Sequence, residues 1–565
     1  MSLRPSALYS QQNNLRQKNP VYIFKLGAVG DGTVVPALPT EFSSGPVYQA
    51  TKTRQILIQS ITGGGSSITP LAGTCTISQI QVSIEDRDQV ATKLFTTYPM
   101  KNRICTILAG YAEIPEAQYV VVFRGLLDDV GIVTGGDAVT FTVVDFQRLE
   151  KVTICNNATT VVTDFNSTDM TITVASSSQF PANTSGSGEI GDVYFLKIDS
   201  EIISYTSRSN PGDLPQVFVL RNRGEFGTQP SAHKSGANVV NFVVLDGNPL
   251  TLYLRLLLSI EGDGTNGPYD VYGPGIGAAI PKAYVDVAGI EFQRDAYVPY
   301  GRFIFYIQQA VEVKKFSEDE IHKVINSYPT ILWDGRLSTK VYTVPFPTLV
   351  STTFNDSNLA AAPIFNLGMQ SNQSLFNEID IQYDHDPITD SFKSETDVID
   401  TDSYTKTQED AILGPIQSKG MRSGALAGAS RYIRKYANNV FKRYANGAPS
   451  IMCEVHYSQH LQSVGDIVQI ESAVLPDYAT RGRGGNGFTC EIVNKAFNWI
   501  KGTVQYQLLA TGINVTKKYW IIGPSGMPTY PTATAANKKY GYIGKKLSDF
   551  VAVQADGSPG TYIAP

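Results

Sequence analysis

Between residues 451 and 509 apolar and polar side chains alternate, and only short turns and one glycine-rich loop interrupt the pattern. In the last strand-like run, Val504, Tyr506 and Leu508 alternate with Thr503, Gln505 and Gln507. A period of two means one dry face and one wet face, so the stretch is committed to an antiparallel sheet. Val464-Gly465-Asp466 reads as a tight turn, because glycine tolerates positive φ and aspartate can bond its own backbone. Ile467, Val468 and Ile470 follow as a β-branched run, and Phe497 to Gly502 carries one strand into the last. Such a sheet has edges, which must be closed, covered or paired with another subunit. Nothing in it has a catalytic pattern.

The same habit extends over the 565 residues, which suggest about three to five domains. Only 17% of the residues are charged, while 49 glycines, 30 prolines and 30 tyrosines point to many short strands joined by turns. A net charge of −5 gives no reason to expect non-specific nucleic-acid binding. Cys75, Cys105, Cys155, Cys453 and Cys490 are scattered, odd in number and without CxxC spacing, so buried reduced thiols are expected rather than a metal cluster or disulfide framework. The N-terminus lacks the apolar core of a signal peptide, and the run near 250–260 is too short to span a bilayer. A soluble protein made in the cytoplasm is expected.

In chain order, residues 1–20 read as a polar arm, and 21–151 as a first β-barrel of six or so strands with a short helix at 90–95. Residues 120–147 form its clearest hairpin, a strand ending in Phe123-Arg124-Gly125 and a Gly135-Gly136-Asp137 turn. An inserted small β domain is expected at 156–243 and a peripheral α+β domain at 244–365. In the latter, Pro249 opens a helix with Leu250, Leu254, Leu257 and Leu258 on its apolar face. Ser317 and Glu320 spell a capping box, Phe316 and Ile321 a hydrophobic staple, and Asp334-Gly335 a hairpin turn. Residues 351–374 read as polar loop. A second barrel is placed at 370–515, with a bracing amphipathic helix at 425–445 whose buried stripe is Leu426, Ala429, Ile433, Ala437, Val440, Phe441 and Tyr444. Arg431, Arg434, Lys435, Lys442 and Arg443 fall on the rest of that helix, and 377–383 is expected to complete the barrel's main sheet. Residues 516–565 read as an irregular C-terminal arm.

Candidate chemistry is sparse. His456 and His460 have the spacing of zinc-binding helices but lie in a strand context without HExxH. Asp384-His385-Asp386 reads as a solvated turn at a strand end. Arg221, Arg223, Glu225 and His233 crowd one segment, but Gly224 and Gly227 make it a turn in which Arg223 and His233 bond loop backbone. Gly482, Gly484, Gly485 and Gly487 lack the strand-to-helix setting of a phosphate loop. No catalytic residue, cofactor or metal ligand is therefore assigned. Charge is segregated: residues 378–410 are acidic, 419–443 basic, and the terminal arm carries Lys517, Lys518, Lys538, Lys539, Lys545 and Lys546. Segregated charge can guide subunit docking.

Taken in order, VVVFRGLLDDV with VTFTVVDF, VFVLRNRGEFGTQPSAHKSGANVV, NPLTLYLRLLLSIEG with ILWDGRLSTKV and LFNEIDIQYDHD, then VGDIVQIE and NWIKGTVQYQLLATG, resemble the baseplate hub proteins of tailed bacteriophages. The resemblance covers most of 20–512 and leaves the tail after 516 outside. It implies a mainly β fold with α+β parts, built from two tail-tube-like barrels and peripheral inserted domains. It also implies a homotrimer whose six barrels form a ring between the hexameric distal tail or tube protein and a central fibre or spike. Within it, Glu378 and Asp380 are candidates to face a DNA channel, and Asp477, Tyr478, Arg481 and Arg483 to contact a neighbouring subunit. Two other functions remain open. A receptor-binding adhesin requires an exposed aromatic patch, and a tail-associated polysaccharide hydrolase requires two carboxylates roughly 5–10 Å apart.

Overall fold

A computed structural model describes residues 19–511 except 28–39, 52–53, 70, 134, 182–193, 260–276, 300, 333, 343–348, 369–374, 424–428, 446, 478–481 and 485–486; beyond 511 it describes 520–524, 542–544, 552–553 and 559–563. The chain is mainly β, with several sheets and few helices. Pro20–Leu26, Ile104–Tyr111, Val120–Ile132, Ala138–Val144 and Gln79–Glu85 lie side by side, all antiparallel. The strand expected to end at Gly125 runs on to Ile132, and a helix spans Val90–Thr97.

One stretch of chain joins the two ends of this sheet. Gln55–Ile56 runs parallel to Glu41–Ser43 at one end, and Ile58–Gly63 antiparallel to Gln79–Glu85 at the other. Leu57 sits between them: its N–H donates to Ser43 O at 3.1 Å and its carbonyl accepts from Glu85 N at 2.8 Å. The sheet thus closes on itself, and neither of its end strands is left as a free edge. Its interior is filled by Phe24, Ile80, Val82, Ile84, Ile107 and Phe141, all buried.

A second ring forms around the stretch the alternation marked. Its order is Thr352–Phe354, Ile467–Ile470, Phe488–Asn498, Thr503–Leu509, Ser450–His456 and Leu359–Gly368. Closure repeats the first device: Thr352–Phe354 is parallel to Ile467–Ile470, and Leu359–Gly368 is antiparallel to Ser450–His456. Glu471 N donates to Phe354 O at 2.8 Å and His456 N to Asn358 O at 3.2 Å. Without Pro20–Leu26 and Glu41–Ser43, the first ring has the same order as the second, its strands following one another along the chain in the same sequence. Two expectations are corrected here. Residues 351–374 are not all loop, since they supply the closing strands. Residues 377–383 do not complete this sheet: Glu378–Asp386 pairs instead with Ser391–Ile399 and Ile412–Gln417, because Leu359–Gly368 already occupies the edge of Ser450–His456.

The rings touch directly. Ser66–Thr69, continuing from the first ring, pairs with Phe488–Asn498 of the second through Ser67–Asn494 and Ser66–Lys495. Six strands within 158–247, joined by Phe303–Ile307, form a seven-stranded sheet with its own core, including Leu196, Ile203, Tyr205 and Phe218. Pro249–Leu258 is capped by Asn248, whose side chain accepts from Leu250 N at 3.0 Å. The capping box does not form. Helix begins earlier, at Val313–Phe316, so Ser317 falls inside a π-turn with its hydroxyl buried and no cap bond. Ala429–Tyr444 is the bracing helix, with Ile433, Ala437, Val440 and Tyr444 buried. Arg443, expected on its wet side, is buried in an ion pair with Glu491. The tail is not wholly irregular: its described residues form a four-stranded sheet. Residues 1–18 lie outside the described residues.

Candidate interaction surfaces and the buried layer beneath them

Glu378–Asp386 is the middle of a three-stranded sheet whose underside is apolar, with Ile379, Ile381 and Ile416 buried. Its outer face carries the expected Glu378 and Asp380. Register places Asp380 opposite Asp397 and Gln382 opposite Glu395, while Ile399 and Ile412 flank Glu378. The carboxylate oxygens of Asp380, Glu395 and Asp397 come within 4.8 Å of one another. Partial burial raises the Asp380 carboxyl above its ordinary range, and the charges of Glu395 and Asp397 add to the shift. An exposed all-oxygen set of this kind suits hard cations and repels anions. Glu395 and Asp397 were not singled out from sequence. The available signal was the period-two spacing of Lys393, Glu395, Asp397 and Ile399, all exposed. Asp384-His385-Asp386 is not a solvated turn either. It lies within the strand, with His385 buried and bonded to Asp390 Oδ1 at 2.9 Å.

In the second contact candidate, Pro476–Asp477 pairs with Gly482–Arg483, and Arg483 is exposed. Tyr478 and Arg481 lie outside the described residues.

At the junction of the rings, the turn after Phe488–Asn498 places Trp499 among the rings of Tyr22, Tyr457 and Phe497, with centroids 5.3, 6.4 and 5.0 Å away. Its indole N–H donates to Gly63 O at 2.8 Å, and its carbonyl accepts from Tyr22 OH at 2.5 Å. Close by, a cavity of about 70 Å³ is lined in part by Cys75, Ser78, Arg124, Asp145, Gln147 and Lys495. Lys495 donates to His460 O, and burial pulls its ammonium down to about 8. His460 is no metal ligand in this setting: Nδ1 lies 2.6 Å from Tyr457 O, and burial lowers its imidazole to about 4. All five cysteines are buried free thiols, and burial pushes Cys75, Cys155 and Cys453 up to about 12.

Asp145 in the cavity wall and Glu150, which accepts from Tyr253 OH at 3.3 Å, are both buried carboxyls. Burial raises Asp145 to about 7 and Glu150 to about 8, although Lys314 is near both. Lys314 Nζ is committed to Gln147 Oε1 at 3.0 Å and Glu318 Oε1 at 2.5 Å. Both carboxyls keep their protons to higher pH in the folded chain than in the unfolded one, so their stabilisation is complete only below the ordinary carboxylate range and declines above it. It is lost as pH rises through about 7 and then about 8. The urea midpoint is expected to fall from pH 6 to pH 8.5, and Glu150→Gln to flatten that fall. Equal slopes for variant and wild type would remove Glu150 from the account.

In the inserted sheet, Glu201 is fully buried and takes both prongs of Arg223 at 2.7 Å. His233 bonds Glu201 through Nε2 at 2.8 Å and Asp199 through Nδ1 at 2.7 Å. Burial opposes ionisation of Glu201, yet Arg223 and His233 hold its carboxyl below the ordinary range. Arg223 and His233 thus hold buried and neighbouring carboxylates, not only loop backbone as expected. Ser231 Oγ lies 3.2 Å from His233 Nε2, but Glu201 already occupies that nitrogen, which leaves no free base for a nucleophile.

No protein-family model matches the chain, and no curated protein matches it. Among solved structures it is similar to the tail protein from Neisseria meningitidis MC58, at 8% identity and a TM-score of 0.36, covering 87% of this chain and 98% of that one. It is similar to the prophage MuSo2 tail protein from Shewanella oneidensis at 10% identity and a TM-score of 0.36, covering 87% and 99%. A prophage tail protein from Listeria monocytogenes EGD-e aligns at 8% identity and a TM-score of 0.23, covering 68% of this chain and 91% of that one.

Proposed function

We propose that this chain is the structural hub at the tip of a bacteriophage tail. Three copies form a ring, each contributing two barrels, so that six similar barrels surround a channel. One side of the ring meets the hexameric distal tail or tube protein, and the other meets the threefold central fibre or spike and other baseplate proteins. The observation that supports this most is the internal duplication: two closed rings of like strand order, joined by backbone pairing at Ser66 and Ser67. A chain carrying two similar units converts threefold symmetry into six near-equivalent positions. In this reading the carboxylates of Glu378, Asp380, Glu395 and Asp397 face the opening and keep passing DNA from adhering, and the 477–483 loop touches a neighbour. The hub is a component of the virion and is not an enzyme.

Mass photometry of the purified chain should give three times 61.5 kDa. Images of assembled tails should show a central opening bordered by the 378–399 sheet. A monomer in solution, or tails lacking an opening at this protein, would overturn the reading, and a sheet on the outer rim would remove its carboxylates from the channel.

A further inference from the structure

The duplication leaves one edge filled in the second ring and open in the first. Phe488–Asn498 pairs with Ile467–Ile470 only from Phe488 to Glu491. Val493 is then bulged out of the ladder with Thr503–Leu509, and beyond it Asn494 and Lys495 acquire a new neighbour, Ser67 and Ser66 of the first ring. A bulge adds twist and re-aims a strand, which lets it leave one partner for another.

Val120–Ile132, its counterpart, is built the same way. Its ladder with Ile104–Tyr111 stops at Leu126, and Leu127 still exchanges hydrogen bonds with Arg103 and Asn102 at 2.8 Å. Asp128 is the bulged residue opposite Ala138–Val144. From there to Ile132, among the described residues, the strand has a partner on one side alone. Val133 N–H donates to Ala138 O at 2.9 Å, so the alternation of the ladder turns the N–H and carbonyl of Ile132 toward the open side.

The hairpin turns agree. The turn of the second ring buries Trp499 to 6% exposure against the first ring, whereas in the first ring Ile132 and Val133 stay 61% and 44% exposed.

We infer that the 128–133 edge of the first ring binds a second copy of this chain. In the filled case the capping strand comes from the connection between Ile58–Gly63 and Gln79–Glu85. The corresponding connection in the second ring runs from Leu359–Gly368 to Ser450–His456, and it is this 369–449 segment of the second copy that caps the open edge. The inference rests on the ring reading above and names the contact that propagates it.

Ile132→Pro deletes the outward N–H and no ladder bond, and Gly131 before it has open space around its Cα. It is expected to raise the concentration for half-assembly at least about tenfold, with unchanged far-UV circular dichroism. A photoreactive benzoylphenylalanine at position 132 should crosslink to peptides from 369–449 of a second copy. Should the proline variant lose its dichroism, Ile132→Lys alters only an exposed side chain and carries the same expectation. A monomeric wild type defeats the ring reading and this inference together. A wild type that assembles while the folded variants assemble equally well, or a crosslink outside 369–449, leaves the ring standing and overturns the edge assignment.

Discussion

Replacing Trp499 with alanine is expected to cost the folded chain about 3–5 kcal/mol, the usual range for removing a buried aromatic side chain. The residue lies where the two rings meet, so the loss is not confined to one of them. Removing the indole empties a space bounded by Tyr22, Tyr457 and Phe497. It also takes the donor from Gly63 O, which adds the penalty of a carbonyl left without its partner. Gly64 packs so close to the indole that an added Cβ would meet it at 3.1 Å, and glycine has no side chain to fill the space left. Trp499→Phe should fall between wild type and alanine, keeping most ring contact and losing the hydrogen bond. Urea denaturation read by circular dichroism checks the magnitude, and hydrogen exchange checks the place. Protection should drop first in Pro20–Leu26 and Phe488–Asn498. A cost below about 1 kcal/mol, smaller than a typical buried aromatic truncation, would refute the junction as a load-sharing contact.

Arg443→Met should be nearly as damaging, for an electrostatic reason. Arg443 projects from Ala429–Tyr444 into the second ring, where it pairs with Glu491 of Phe488–Asn498, and both residues are about 1% exposed. Its guanidinium also lies 4.3 Å from the centroid of Tyr342, which joins helix, ring and peripheral domain at one point. Methionine replaces most of the volume but leaves the Glu491 charge buried without its partner, at a cost of about 3–5 kcal/mol. The double variant Arg443→Met, Glu491→Leu should recover most of that loss, since removing both charges also removes the desolvation penalty. Denaturant midpoints of the two single variants and the double variant form the test. A double variant less stable than Arg443→Met would mean that packing around Glu491, not charge, sets the cost.

Alternation made the strands of the two rings legible wherever one face is dry and the other wet, as in Thr503–Leu509. Closure was hidden because Leu359–Gly368 reads Ala360-Ala361-Ala362-Pro363, a run of poor strand formers. Register shifts between Leu359 and Ile364 place that proline in an irregular part of the ladder, where a missing N–H is tolerated. The Ser317 capping box failed for a different reason. Its letters match the motif, but a helix already begun at Val313 leaves no free first turn to cap. Arg443 misled as well, since a charged residue on a helix is usually wet unless a distant strand supplies its partner. In the acidic sheet, Glu378 and Asp380 were readable as one face of one strand. The meeting of Asp380 with Glu395 and Asp397 depends on a hairpin register that composition does not encode.

The closure of the first ring through Leu57 also bears on how the chain is made. Ser66 and Ser67 find their partners more than four hundred residues later, at Lys495 and Asn494. Bringing such distant segments together costs roughly 4 kcal/mol more in chain entropy than closing a hairpin of a few residues. At ordinary rates of synthesis the ribosome takes on the order of half a minute to supply the missing strand. A nascent open sheet would spend that interval offering its edges to other nascent chains. Among its described residues, a ring already complete within 20–144 has only the short 66–75 hairpin and the 128–132 half-strand to expose while it waits.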